Sequence, residues 1–469
     1  MKNFHPTGNC PIRDVLSRLG DKWSMLVLIT LNAIAGLGIA ALASCGGSKE
    51  KAITFYNTCG QNLQTKISEA IEAFEAKYGW KVESTQIGGY DDVYSTCIAG
   101  LTANAQPNIA YAYSDHVAAY IQSGKVLDLN QFIDSTKEVN GTKLGYTADE
   151  KADFVKGYYD EGLAKNYADY SSYGFTENSM LTMPFSKSTE LMYVNVTAMK
   201  AAGVETIPTT WDELWDACDK IKAKYDGSTP FCYDSESNWL INMCKQNGWN
   251  YTSASEPHLA FKDDANLANW MDTLNEKYEK GIIATQTTYG AYTSGLFTAG
   301  VEDGGCVFCI GSSGGASYQA TDKFEWAVAP IPGTKASNGE VNKSVISQGP
   351  SLVLFDSGDE EVNEMTWLFV KSILEPEFQS TFSQTSGYNP VRNSTFDIAD
   401  YKAFLAKDTI VAQAAKTASG LTDWFYTSPA FKGSADARQY IGSALVSAIK
   451  GEATGVDALA TAYKNCGGR

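Results

Sequence analysis

Downstream of residue 45 the chain has two histidines, His116 and His258. Neither sits in a serine-base pattern or in the paired spacing of a zinc-binding helix, so acyl transfer and metal-assisted hydrolysis lack their parts. Carboxylates are plentiful, with 54 Asp and Glu. No motif sets two of them in one cleft, which glycoside hydrolysis requires. Cys306-Val-Phe-Cys309 is a lone C-x-x-C in an apolar run. On a strand its thiols point to opposite faces, favouring neither a metal nor a disulfide, and buried small hydrophobes fit it better. What remains is the chemistry of binding. Tyr158, Tyr159, Tyr167, Tyr170 and Tyr173 are clustered; such rings offer a flat apolar face and a hydroxyl to a sugar, but they are also ordinary half-buried residues. Gly311 to Ala316, GSSGGA, follows an apolar run and offers backbone N–H groups and hydroxyls to ligand hydroxyls or an anion. It lacks the Lys-Ser/Thr ending of a phosphate-binding loop.

These residues need a large scaffold. A chain of 469 residues with 44% hydrophobic content can bury the cores of two or more lobes. A net charge of −17 argues against nucleic acid as a partner. From Ala52 the pattern is strand, helix, strand, helix, strand: Ala52–Tyr56, an amphipathic run through Phe74, Lys81–Ile87, a helix opening at Asp91, and Ile109–Tyr113. This βαβαβ order predicts a parallel sheet whose strand C-termini share one edge, where ligands bind in open α/β sheets. Tyr90 and the Ser114-Asp115-His116 group fall just beyond those strands. Asp115 is equally suited to cap the helix that follows.

Residues 1–45 differ in character. A positive leader with Lys2, Arg13, Arg18 and Lys22 precedes an apolar run from Met25 to Ala43 and then Leu42-Ala43-Ser44-Cys45-Gly46. The pattern resembles a bacterial lipoprotein signal with Cys45 as the lipidated residue. An uncleaved membrane helix is the alternative, since the run is long enough to span. Either places the body outside the cytoplasm, periplasmic or cell-surface and membrane-anchored, after a short tether at 46–51. Asn9 to Asn32 also resembles the opening of HxlR-type winged-helix regulators, without the remaining helices or wing, and fits a chimeric leader. Eight cysteines then remain, from Cys59 to Cys466, whose pairing spacing leaves open.

Met183 to Leu214 ties the body together. Leu191–Val194 predicts a buried strand, Asn195 ends it, and Thr210 with Glu213 forms a capping box ahead of a helix whose Trp211 faces the core. The succession Pro-Phe-x-x-Ser-Thr, Tyr-x-Asn, Ala-Gly-Val and Pro-x-Thr-Trp-Asp-Glu-Leu resembles the extracellular solute-binding proteins of ABC importers, nearest the branch for sugars and glycerol-3-phosphate derivatives. Gln348-Gly349-Pro350-Ser351 is similar to the family's second hinge strand, and Thr385-Ser386-Gly387-Tyr388-Asn389-Pro390 to its Thr-Gly-Tyr-x-Pro turn. The resemblance implies an α/β, two-lobe periplasmic-binding-protein fold, each lobe a mostly parallel sheet flanked by helices, with the cleft at the hinge. Lobe 1 would comprise 52–188 plus 350–385, and lobe 2 189–349 plus 386–469. It further implies ligand contacts at Tyr90, Asp115, Ser188, Ser313, Gly349, Tyr388 and Arg438; Trp239 joins them as an aromatic beside the cleft. The expected function is capture of a small-molecule solute, a carbohydrate or else a glycerol-3-phosphate derivative, for delivery to a membrane permease, with no cofactor and no catalysis. An exported glycoside hydrolase is the remote alternative.

Overall fold

The computed structural model describes residues 51–468. The leader, its apolar run, the winged-helix-like stretch, Cys45 and most of the tether lie outside the described residues.

Two sheets carry the body. The first has five strands: β1 (Ala52–Asn57), β2 (Lys81–Gln86), β3 (Ile109–Ala112), β4 (Thr182–Pro184) and, late in the chain, Ser351–Leu354, in the order β2-β1-β3-(Ser351–Leu354)-β4. Helices α1 (Gln61–Tyr78) and α2 (Tyr90–Ala103) connect the parallel strands β1, β2 and β3. Each helix ends on a left-handed residue, Gly79 at φ 70° and Asn104 at φ 53°, the two residue types that tolerate that conformation best. The second sheet has seven strands, and β5 (Ser188–Asn195) is its centre. All eight β5 residues are buried. One edge of β5 pairs antiparallel with β8 (Phe308–Ser312), Tyr193 opposite Cys309. Beyond β8 lie β6 (Phe231–Tyr233) and β7 (Ile283–Thr285), parallel to it and to each other. The other edge of β5 takes β9 (Trp326–Pro330) and then β10 (Val345–Gln348). The late strand of the first sheet is β11, and Phe425–Tyr426, β12, pairs parallel with β10.

The α/β two-lobe architecture is the one expected. The sheets are mixed, however, and less parallel than the sequence suggested. Parallel pairing holds where βαβ units build each lobe. The strands that arrive from the other lobe, β5 and β11, pair antiparallel with their neighbours because they enter from the opposite end. The chain crosses between sheets at Phe185–Lys187, from β4 into β5, and at Gly349-Pro350, from β10 into β11. The crossings run side by side, with Gln348 opposite Ser188 and Ser351 opposite Pro184. A third passage follows α4 (Glu360–Ile373) and α5 (Pro376–Ser386), where the Asn389 N–H donates to the Lys187 carbonyl at 2.6 Å.

Each sheet has its own apolar filling. Ile53, Phe55, Ile109, Met183, Leu352 and Trp367 lie in the first lobe. Leu191, Tyr193, Leu214, Phe231, Trp239 and Phe308 lie in the second. The predicted capping box forms in the second lobe: the Glu213 N–H donates to Thr210 Oγ1 at 3.3 Å, and the Thr210 N–H to Glu213 Oε2 at 3.2 Å. It starts α3 (Trp211–Lys224), whose Trp211 is buried and donates its indole N–H to Gln246 Oε1 at 2.7 Å. All eight described cysteines are free. One local expectation fails. Cys306 precedes the strand, which begins at Phe308, so its thiol does not obey strand alternation and lies within hydrogen-bond reach of both Cys309 and Cys232. Both C-x-x-C thiols are fully buried, as the apolar reading requires.

Candidate functional site: a cleft between the lobes

On the first lobe the cleft wall is built by turns at strand ends. Gly88-Gly89 follows β2 and lets the chain turn into α2, where the Gly89 N–H donates to Asp92 Oδ2 at 2.7 Å. Tyr90 is thereby the first helical residue and projects from the strand-end edge. Tyr113, just beyond β3, lies beside it, ring centroids 4.7 Å apart and tilted by 59°. The hydroxyls of Tyr90, Tyr113 and Tyr388 bond among themselves, and Thr58 joins them. Burial raises the pKa of all three phenols, so they remain neutral donors and acceptors. Tyr388 arrives from the turn after α5. Its ring lies so close to the GSSGGA turn that a Cβ on Gly314 would stand 2.5 Å from it. Asp115 lies in the first turn of the helix Ser114–Tyr120, whose N-cap is Tyr113; its Oδ1 accepts the His116 N–H at 3.0 Å, and the residue lines the cleft.

On the second lobe, Ser188 opens β5 at the floor of the cleft. Arg438 comes from a helix spanning Ser434–Ile449. Its guanidinium donates to Asn238 Oδ1 and lies with Cζ 5.8 Å from the Tyr113 ring of the other lobe. Tyr90, Asp115, Ser188, Tyr388 and Arg438 thus line one cleft of about 1460 Å3.

Three expected contacts lie elsewhere. Ser313 is fully buried and its Oγ accepts the Thr189 N–H at 3.2 Å, so it fastens the turn to β5. Its neighbours Ser312, Gly314, Gly315 and Ser317 line the cleft instead. Gly349 sits at the crossing with φ 83°, where an added Cβ would stand 1.9 Å from the Ser186 carbonyl oxygen. It borders a small cavity of about 40 Å3 that shares Tyr113, Asp115 and Arg438 with the lining of the cleft. Trp239 belongs to the core of the second lobe. It is fully buried and stacks on Tyr233 at 5.1 Å and on Trp211 at 6.3 Å. The helix carrying it, Glu236–Asn247, turns its Trp239 face to β6 and a different face, Asn238 and Asn242, toward β5.

Sequence reasoning also missed residues. Tyr113 was taken as the end of a strand. Tyr292 and Tyr318 line the cleft with 68% and 74% of their surface exposed. Glu190 lies in β5 directly beneath the floor and had one visible signal, a carboxylate immediately before the apolar run Leu191–Val194. At the hinge, Lys187 is buried and pairs with Glu161 at 2.7 Å, while Ser347 donates to the same carboxylate. One side chain therefore ties both crossings.

The geometry has the features of a binding cleft between hinged lobes, and the relatives agree. At 24% identity over 400 residues, 81% of this chain aligns with 82% of the sn-glycerol-3-phosphate-binding periplasmic protein UgpB of Escherichia coli strain 536. The structure of UgpB from Mycobacterium tuberculosis in complex with glycerophosphocholine superposes with a TM-score of 0.70 at 18% identity, covering 90% of this chain and 98% of that one. The GacH receptor of Streptomyces glaucescens, solved unliganded and with acarbose, gives 0.69 at 15% identity, covering 90% and 99%. The sequence profile described as bacterial extracellular solute-binding protein matches residues 69–413. The chain belongs to that family of extracellular solute-binding proteins.

Proposed function

We propose that the protein captures a neutral carbohydrate in the cleft and delivers it to the permease of an ABC importer, performing no catalysis itself. The observation that carries this reading is the charge of the lining. Asp91, Asp92, Asp115, Asp234, Glu236 and Glu452 face the cleft, and Arg438 is the one Lys or Arg among its lining residues. Carboxylates accept hydrogen bonds from sugar hydroxyls and repel phosphates, while tyrosine faces stack on sugar rings. The lobes, taken as 52–188 with 350–385 and 189–349 with 386–469, close on the ligand by bending at the paired crossings.

A glycerophosphodiester is the second reading, supported by Arg438 beside the N–H-rich turn at 312–316 and by the ligand named for the mycobacterial neighbour. Calorimetric titration separates the two. Maltose, maltotriose and isomaltose are expected to release or absorb binding heat; sn-glycerol-3-phosphate and glycerophosphocholine are not. The reverse pattern would replace the carbohydrate by the phosphodiester, and silence from both sets would remove both.

Anchoring through Cys45 holds the receptor at the outer face of the membrane in this reading. Substituting Cys45→Ser is expected to shift the protein from the membrane to the soluble extracytoplasmic fraction. Retention in the membrane would favour the uncleaved helix.

A further inference from the structure

Glu190, the third residue of β5, is 2% exposed and is not itself a lining residue of the cleft, but its partners Asn238 and Gln348 are. Its carboxylate is held from three sides. Oε2 accepts from the Tyr233 hydroxyl and from Asn242 Nδ2 at 2.7 Å. Oε1 accepts from Asn238 Nδ2 at 2.9 Å and, more loosely, from Gln348 Nε2 at 3.4 Å. Asn242 cannot turn away, because its Oδ1 accepts the Ile346 N–H at 2.8 Å. The charged and titratable groups facing Glu190 are Tyr233 and Asp234 at the end of β6 and Arg438 from the Ser434–Ile449 helix. Its other partners are neutral amides.

The arrangement settles which way Asn238 points. An amide offers donors on one side and an acceptor on the other, and its orientation follows from its partners. With Nδ2 committed to the carboxylate, Oδ1 must face outward, and there it accepts from Arg438 Nη2. The Arg438 guanidinium is in turn laid toward the Tyr113 ring across the cleft. A sequence of contacts therefore runs from the hinge strand through Asn238 to the one Arg among the residues that line the cleft.

We propose that Glu190 is a positioning residue: by orienting the Asn238 amide it fixes the Arg438 guanidinium as a preorganised donor for the bound ligand. The nature of that ligand rests on the carbohydrate reading; the orientation of Arg438 does not.

The carboxylate is an expensive way to orient an amide, which is why its presence is informative. Burial, with Asp234 adding to it, raises the Glu190 carboxyl from 4.5 to about 7, against the opposing effects of Tyr233, Asn238 and Arg438. The folded state therefore holds its proton more tightly than the unfolded chain. The resulting stability is full below pH 4.5 and is lost as pH rises toward 7. Above that, ionised Glu190 is a net cost to folding, yet a glutamine is no substitute, because its NH2 would face the Nδ2 of either Asn238 or Asn242.

The test uses the full chain with Glu190→Gln, which preserves shape, and Glu190→Leu, which can accept nothing. The Gln variant is expected to melt below the wild type at pH 5, because its NH2 group meets a donor, with the gap shrinking toward pH 8 as Glu190 ionises. The chain has five arginines, so their side-chain nitrogen resonances can be separated by NMR. At pH 8 the Arg438 guanidinium should rotate slowly in the wild type and freely in Glu190→Leu, and wild-type rotation should quicken as pH falls below 7. Affinity for maltotriose should drop about tenfold in Glu190→Leu, the scale of a lost hydrogen bond to a charged group. In an Arg438→Met background the same change should cost nothing further. Slow Arg438 rotation persisting in Glu190→Leu, or wild-type rotation unchanged between pH 8 and pH 5, would overturn the proposal. Arg438 behaving as expected while maltose, maltotriose and isomaltose all fail to bind would leave the positioning role standing and discard the carbohydrate.

Discussion

Tyrosine and tryptophan were expected to share the ligand face, and the structure divides them. Tyr90 and Tyr388 lie in the cleft because each follows a turn at an element's end, where the chain is free to present a ring sideways. Trp239 lies inside a helix, and its direction is fixed by the helical repeat once Asn238 and Asn242 face Glu190. Substitution should separate these roles. Tyr90→Ala and Tyr388→Ala are each expected to weaken sugar binding by about tenfold, measured by calorimetry, with a smaller effect on melting. Trp239→Ala should instead cost about 3–5 kcal/mol of stability in denaturant unfolding, because it empties a stacked aromatic site in the core. Glu190 shows the limit of reading single residues. Its position at the head of an apolar run was visible, but the partners that make it useful come from residues 43, 48 and 52 positions away and from Gln348.

At the scale of elements, the hinge is more than two strands lying together. Glu161 ends a short helix, Lys156–Glu161, that was seen in the sequence only as part of a polar, tyrosine-rich middle. Its carboxylate holds Lys187 of one crossing and Ser347 of the other, and Lys187 Nζ also donates to the Gly349 carbonyl at 3.1 Å. Removing one partner of a buried pair leaves an uncompensated charge, so Glu161→Gln should destabilise the protein by about 3–5 kcal/mol. The double variant Glu161→Gln, Lys187→Met should recover much of that in thermal denaturation, since no lone charge is then buried. Gly349 was legible as a hinge glycine from its resemblance. Its reason was not: the backbone of the other crossing passes where any side chain would begin. A glycine marks such a place without saying whether a ligand or the chain's own backbone fills it.

For the whole molecule, two cores joined by narrow crossings make a body that can bend while each lobe stays rigid. Small-angle scattering should therefore record a smaller radius of gyration on addition of a bound sugar, and an unchanged radius would count against closure. The strands that cross came from the family resemblance; the sequence's own pattern determined the α/β class, the order of the elements and the turns that reach the strand-end edge. Those properties depend on local periodicity, caps and glycines, which act within a few residues. Only the tertiary structure decided that Ser313 and Trp239 face inward, that the thiols of Cys306 and Cys309 come together, and that Glu190 orients Arg438. Each of these depends on which distant strand or helix occupies the adjoining space, and packing of that kind leaves no periodic trace in the chain.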